Sequence, residues 1–458
     1  KILPRWIGFD EFNREHEVRV DIPTGIADVL IDTTYRLADV YQPNNSLRAP
    51  FEADFDHHLR VRPDRRVYQG HVRPDLWWNG FDGAKVGVHF HSDWMRYKHR
   101  LWVSAWVNTG LGQYLPESAP RVGYDPIGFN IRYENGTEKL LRGSSVEIGA
   151  RVLDGLERYS AGSNYRLPND RTSIHTSVRY MLRRNADDAR YLIHPMEWNI
   201  GALNATWDNT LKHRYGYGSG KGSLVFTTRN STVGSADAFA QVSLSATNET
   251  DVTRLQLRTR VFAQFGTGNT PNESQLYLAG ASPEEMMENK YTRSAGFVPY
   301  EEAGYGTGLS HFHAGGGLGL RGYAGYLAPD ITADDLVFLT YRGNTGAAIN
   351  AELDVDDLLR LRPRFTRRWL HVDAYLFGDV GTMGYREVTD AGTTRLRAAA
   401  PRMDAGAGLA FTIKKFGPLV DIKPLTIRFD VPAFLSNIPA GESDHFAFRY
   451  VIGINRSF

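Results

Sequence analysis

The chain has 458 residues, 53 Lys and Arg against 52 Asp and Glu, and no Cys. A net charge of +1 removes the usual electrostatic case for a nucleic-acid partner, and zero Cys excludes a disulfide scaffold, a thiolate metal site and a Cys nucleophile. A mean hydropathy of −0.39, with no apolar run approaching about 18 residues, excludes a helical membrane span but not a membrane barrel, whose strands alternate apolar and polar residues.

The opening Lys1-Ile2-Leu3-Pro4-Arg5-Trp6 has no apolar signal core, so the chain is expected to be processed or a piece of something longer. Residues 1–70 carry Pro4, Pro23, Pro43, Pro50 and Pro63 and the acidic-His stretch Glu52 to His58. They are expected to form a lead segment or linker docking at the rim of a barrel made by residues 71–458. Candidate strands then follow at about 84–91, 97–108, 127–134, 143–154, 172–184, 197–209 and 217–230. Period two is clearest later. At Phe239 to Ala246, Ala240, Val242, Leu244 and Ala246 stand opposite Gln241, Ser243 and Ser245. At Arg254 to Phe265, Leu255, Leu257, Thr259, Val261, Ala263 and Phe265 oppose Arg254, Gln256, Arg258 and Arg260. A helix would smear those arginines around its circumference; a strand puts them on one face. Further strands are expected at 336–355, 369–379, 403–413 and 425–431, and a last one over 446–458.

These are about fourteen strands, many near the ten residues that a tilted membrane strand needs. A propeller would repeat a blade motif, and none is found. A soluble sandwich would alternate in the same way. The number and length of the strands, with Arg, Asp, Gln and Gly on one face and a thin apolar coat on the other, favour a wet lumen and a lipid exterior. The expectation is an all-β chain, a transmembrane antiparallel β-barrel.

Near the C-terminus Phe446, Phe448, Tyr450, Ile452, Ile454 and Phe458 share one parity. A last strand ending in Phe resembles the signal by which bacterial outer-membrane barrels are handed to their assembly machinery. His311 to Tyr323 contains Gly317, Gly319 and Gly322 in a G-x-G-x-x-G spacing. The following Ala324-Gly325-Tyr326-Leu327-Ala328-Pro329 cannot start the helix that a dinucleotide site requires. The segment instead resembles the Arg-Gly-Phe/Tyr tip of the inward-folded loop in the outer-membrane superfamily of BamA, TamA and two-partner-secretion transporters. Arg321, Gly322 and Tyr323 match that tip, Glu352 the acidic position of the following strand, and Phe377-Gly378-Asp379-Val380-Gly381 the F-x-D-x-G motif. The resemblance covers about 250–458. It implies sixteen strands and a long loop folded into the lumen, with Arg321 against Asp379, Glu352 near, and Tyr323 packed by Gly381. Parity independently places both carboxylates in the lumen, where a guanidinium is a fitting partner.

A softer resemblance covers about 60–112, including Arg73-Pro74-Asp75-Leu76-Trp77-Trp78-Asn79-Gly80. It looks like the stretch leading into the C-terminal barrel of Bacteroidota surface proteins similar to gluzincin aminopeptidases, whose H-E-x-x-H metal helix is absent here. His89-x-His91 and His311-x-His313 each put two imidazoles on one strand face without a third convergent ligand. His175-x-Ser177 recurs in an outer-membrane phospholipase, but here it shares parity with Arg179 and points inward. No catalytic residue, metal or cofactor is therefore expected. The expected work is handling polypeptide across or into the outer membrane of a Gram-negative bacterium, or anchoring and exporting an attached domain. A passive diffusion channel is the alternative, as is a subunit of a larger complex. Expected partners are outer-membrane lipid and lipopolysaccharide, the assembly machinery and other outer-membrane or periplasmic subunits.

Overall fold

The computed structural model describes residues 19, 21, 25–34, 36, 38–56, 63–114, 125–298, 311–332, 335–355, 369–388, 394–414, 425–439 and 441–458. Most of the lead segment before residue 25 lies outside them.

Sixteen strands follow one another as an antiparallel meander. They are β1 (Tyr68–Asn79), β2 (Gly83–Trp94), β3 (Lys98–Asn108), β4 (Ile127–Gly136), β5 (Ser144–Leu153) and β6 (Leu156–Arg166). Next come β7 (Thr172–Leu182), β8 (Asn204–Tyr217), β9 (Gly220–Ser231), β10 (Phe239–Val252) and β11 (Leu255–Gly268). After a long connection, β12 (Thr345–Asp354), β13 (Leu370–Val388), β14 (Arg402–Ile413), β15 (Leu425–Leu435) and β16 (Val451–Ile454) complete the series. The two strands beyond the fourteen counted are β1 and β6. Pro74 interrupts the first, and the second spreads Ser and Gly through Leu156 to Arg166, so neither presents a clean apolar face.

Alternation sets the two faces. On β11 and β12, Val261, Phe265 and Ile349 are each more than half exposed, whereas Arg260 and Asn350 are 7% and 0% exposed. Apolar side chains coat the outside and charged ones are buried inside, the inverse of a water-soluble domain and the arrangement of a lipid-facing barrel. The turns 218–219 and 253–254 lie at one end, and the long connections 109–126, 183–203 and 269–344 at the other.

Among the described residues β1 and β16 do not pair with each other. Phe51–Phe55 runs parallel to the start of β1, and Phe312–Ala314 runs parallel to β16. The lead segment thus lies along a sheet edge.

The last strand departs from expectation. Only Val451–Ile454 forms it, while Phe446 makes a single bridge to Phe434. Asn455, at φ 66°, turns the backbone and ends the shared parity.

An outward charge should cost about 2–4 kcal/mol at the membrane midplane. Leu257→Arg and Ile427→Arg are therefore expected to lower the folded, heat-modifiable fraction more than Gln256→Arg and Thr426→Arg. Equal losses on both parities would contradict the assigned faces.

Candidate functional site

The described parts of the long connection, residues 269–298, 311–332 and 335–344, fold back between the strands as a plug. Its tip is a single 3-10 turn, Arg321–Tyr323, fully enclosed by the wall. The Arg321 Nε and Nη2 donate to the two Asp379 oxygens at 2.8 and 3.3 Å, and Nη1 donates to Glu352 at 2.8 Å. The Phe377 ring lies 4.2 Å from the guanidinium carbon. The F-x-D-x-G strand thereby gains a physical reading. Phe377 offers a π face to the cation, Asp379 a planar fork, and Gly381 the room for a neighbour. That neighbour is Leu320, whose Cδ1 lies 2.8 Å from where a Gly381 Cβ would stand. Tyr323, expected at Gly381, instead reaches the Met403 carbonyl and the Ser436 hydroxyl at 3.3 Å each. The backbone direction at the turn sends the leucine, not the tyrosine, to the glycine.

Sequence reasoning missed several members. Asp404 accepts the Gly322 N–H at 3.0 Å, and a Cβ on Gly322 would meet the Asp404 Cβ at 2.7 Å. Asn350 links Asp379, at 3.0 Å, to the Leu318 carbonyl, at 3.1 Å. A second buried group joins Arg428, Asp430 and Tyr375, with His313 Nδ1 accepting from Arg428 at 2.7 Å. Inward parity was the signal available for Asp404, Arg428 and Asp430.

The plug is anchored around most of the wall. Tyr291 and Phe297 pack on Trp77 of β1. Arg293 pairs with Asp154 in the β5–β6 turn at 2.6 Å. Arg151 of β5 donates to the Met287 carbonyl, and Arg158 of β6 pairs with Glu288. Glu284 takes Arg179 of β7 at 2.5 Å and Arg229 of β9 at 3.0 Å. Gln241 of β10 donates to the Ser274 carbonyl, and Arg260 of β11 to the Gly317 carbonyl. Burial pushes the Glu284 carboxyl up, but the Arg179 and Arg229 guanidiniums outweigh it and hold it at about 2. The 183–203 connection packs over the plug through Tyr191, Leu192 and Trp198, and Glu197 accepts from Tyr277 at 2.6 Å.

The C-terminal residues divide. Phe446 and Phe448 are exposed, Tyr450 stacks on His311 with centroids 4.0 Å apart, and Ile452 faces outward. Ile454 packs against the plug core, and Phe458 lines a lumenal pocket with Lys212, Arg214 and Lys221. His89 and His91 share a pocket with His71 and Asp56, with His91 3.9 Å from the Asp56 carboxylate. His311 and His313 have separate partners, and no group of three or more His, Cys, Asp or Glu side chains is placed to hold a metal ion among the described residues. His175 bonds Asn164 in the lumen at 2.8 Å.

No family model matches the chain, and no curated protein does. Among solved structures it is similar to CdiB from Escherichia coli, with 12% identity and a TM-score of 0.42 over 86% of this chain and 63% of that one. BamA from Haemophilus ducreyi lacking POTRA domains 1-3 follows, with 12% identity and a TM-score of 0.39 over 84% and 71%. A BenF-like porin from Pseudomonas fluorescens Pf-5 has 10% identity and a TM-score of 0.39 over 84% and 85%. The meander itself, sixteen strands with apolar side chains outside and charged ones inside, is the arrangement of a membrane β-barrel.

Removing one partner of a buried ion pair costs about 3–5 kcal/mol. Arg321→Ala is expected to make residues 269–344 cleavable by protease while the barrel stays heat-modifiable. Arg321→Lys should protect only partly, because an ammonium lacks the planar fork. Full protection in Arg321→Ala would show that the tip is not the anchor.

Proposed function

We propose that the chain is a plugged barrel of the BamA-like kind that handles polypeptide at the outer membrane, passing it across or into the bilayer or anchoring and exporting an attached domain. The observation that carries this reading is the ring of plug contacts running over β1 and β5 to β16. A passive channel needs a continuous water path, whereas the spaces left along the wall are separate pockets, of about 200 Å³ at Arg229, Gln241 and Arg260, about 310 Å³ at Arg151 and Glu288, and about 400 Å³ at Lys212 and Phe458. Most anchors are charge-assisted contacts, which water can replace, so the plug is suited to release. Arg321, Gly322, Glu352 and Asp379 support the kinship, and none of them is assigned a catalytic role. The apolar belt would face outer-membrane lipid and lipopolysaccharide. The assembly machinery would read the terminal segment, and periplasmic or outer-membrane subunits would supply or receive the polypeptide.

In planar bilayers the native chain is expected to conduct little and Arg321→Ala to open it. A photo-cross-linking residue at Ser243, on the lumenal face, should trap polypeptide in cells. Steady native conductance equal to that of Arg321→Ala, with no trapped polypeptide, would favour the passive channel. Deleting Phe458 should lower the amount of folded protein in the outer membrane at unchanged synthesis; undiminished levels would make that residue incidental to assembly.

A further inference from the structure

Four lumenal arginines on neighbouring strands are arranged around two carboxylates that the wall does not supply. Arg151 of β5 and Arg158 of β6 stand directly opposite each other in register. Like charges in that position repel. Glu288 of the plug bridges them, paired with Arg158 and 3.9 Å from Arg151. Farther along the wall, Arg179 and Arg229 both bind Asp208 of β8, at 2.9 Å each, and both also reach Glu284 of the plug. Glu284 lies in the four-residue helix Pro283–Met286 and Glu288 in the turn that follows it, and both carboxylates reach the wall. Between them Met286 and Met287 are buried in an apolar cluster with Leu156 and Met181 of the wall. The site thus reads a spacing and an apolar step as well as charge, which a small anion does not offer.

We propose that Arg151, Arg158, Arg179 and Arg229 form a binding site for an acidic polypeptide segment, two carboxylates flanking apolar side chains, and that residues 282–289 of the plug are its resident internal occupant. This rests on the reading of the chain as a polypeptide-handling barrel. When the plug withdraws, the opposed guanidiniums lose their bridging carboxylates, and an incoming segment of the same pattern replaces them.

The test uses the full-length chain in detergent and a fluorescent eight-residue peptide with the sequence of residues 282–289. In the Glu284→Gln/Glu288→Gln chain the resident occupant is weakened, and anisotropy should report binding at least tenfold tighter than in the native chain. A peptide with both of those glutamates replaced by glutamine should bind at least tenfold more weakly, and adding Arg158→Gln and Arg179→Gln to the chain should abolish binding. If the double variant fails to fold on a heat-modifiability gel, a chain with 282–289 replaced by a Gly-Ser linker takes its place. Equal binding of the acidic and neutral peptides, or no binding to either opened chain, would overturn the proposal. So would displacement of the peptide by succinate at the peptide's own concentration, which would make this a small-anion site. Peptide binding is read on purified protein, so it stands or falls separately from cross-linking in cells.

Discussion

A guanidinium removed from water must be given acceptors, and Arg321 is given two carboxylates. Its enclosure by Asp379, Glu352 and the Phe377 ring fixes the tip of a long loop at one place on β12 and β13. The rest of the plug follows from that fixed point. Gly322 lies against Asp404 because any side chain there would collide, and Leu320 falls into the space at Gly381. From the tip, the apolar set Leu276, Leu278, Leu318, Leu320 and Tyr323 builds a small core against Ala348, Met383 and Leu435 of the wall.

The other anchors are of a different character. A barrel of this size has a polar inner face, because its apolar side chains are spent on lipid. Whatever fills the lumen must therefore satisfy charges more than bury hydrocarbon. The plug answers arginine with glutamate at Glu284 and Glu288, and aspartate with arginine at Arg293. Such a buried pair adds little net stability over a hydrophobic contact, but breaking it one-sidedly is costly. The result is a filling that is specific in position and separable as a unit, as the proposed function requires.

Much of this was legible in the sequence, because period two is a local signal. The faces of β10, β11, β14 and β15 and the inward direction of Glu352 and Asp379 need only parity. The resemblance supplied the pairing of Arg321 with them, which parity alone could not. What escaped depends on non-local geometry. Tyr159 and Tyr165 are the only large apolar residues on the outward face of β6, too few to mark a strand until β5 and β7 lie beside it. The bend at Asn455 is a single backbone angle, invisible in the run Phe446 to Phe458, and it sends Phe458 into the lumen. The four arginines of the β5 to β9 wall were readable as lumenal, but their convergence in pairs on two plug glutamates more than fifty positions away was not.

The pairing of Phe312–Ala314 with β16 bears on the order in which the molecule is put together. The strands from β1 to β11 can zip each onto the one before, whereas β12 joins β11 only across the 269–344 connection. The sixteenth is four residues long and lies between β15 and a segment of the plug. A strand so short gains most of its ladder only when both neighbours are present. The plug supplies one side of the β16 ladder, and its own contacts, more than a hundred residues apart along the chain for Arg293 with Asp154, carry the high loop-closure entropy of distant pairing. The filling is thus part of the seam as well as of the lumen: Phe312–Ala314 lies along the edge of β16 that β1 leaves unpaired among the described residues.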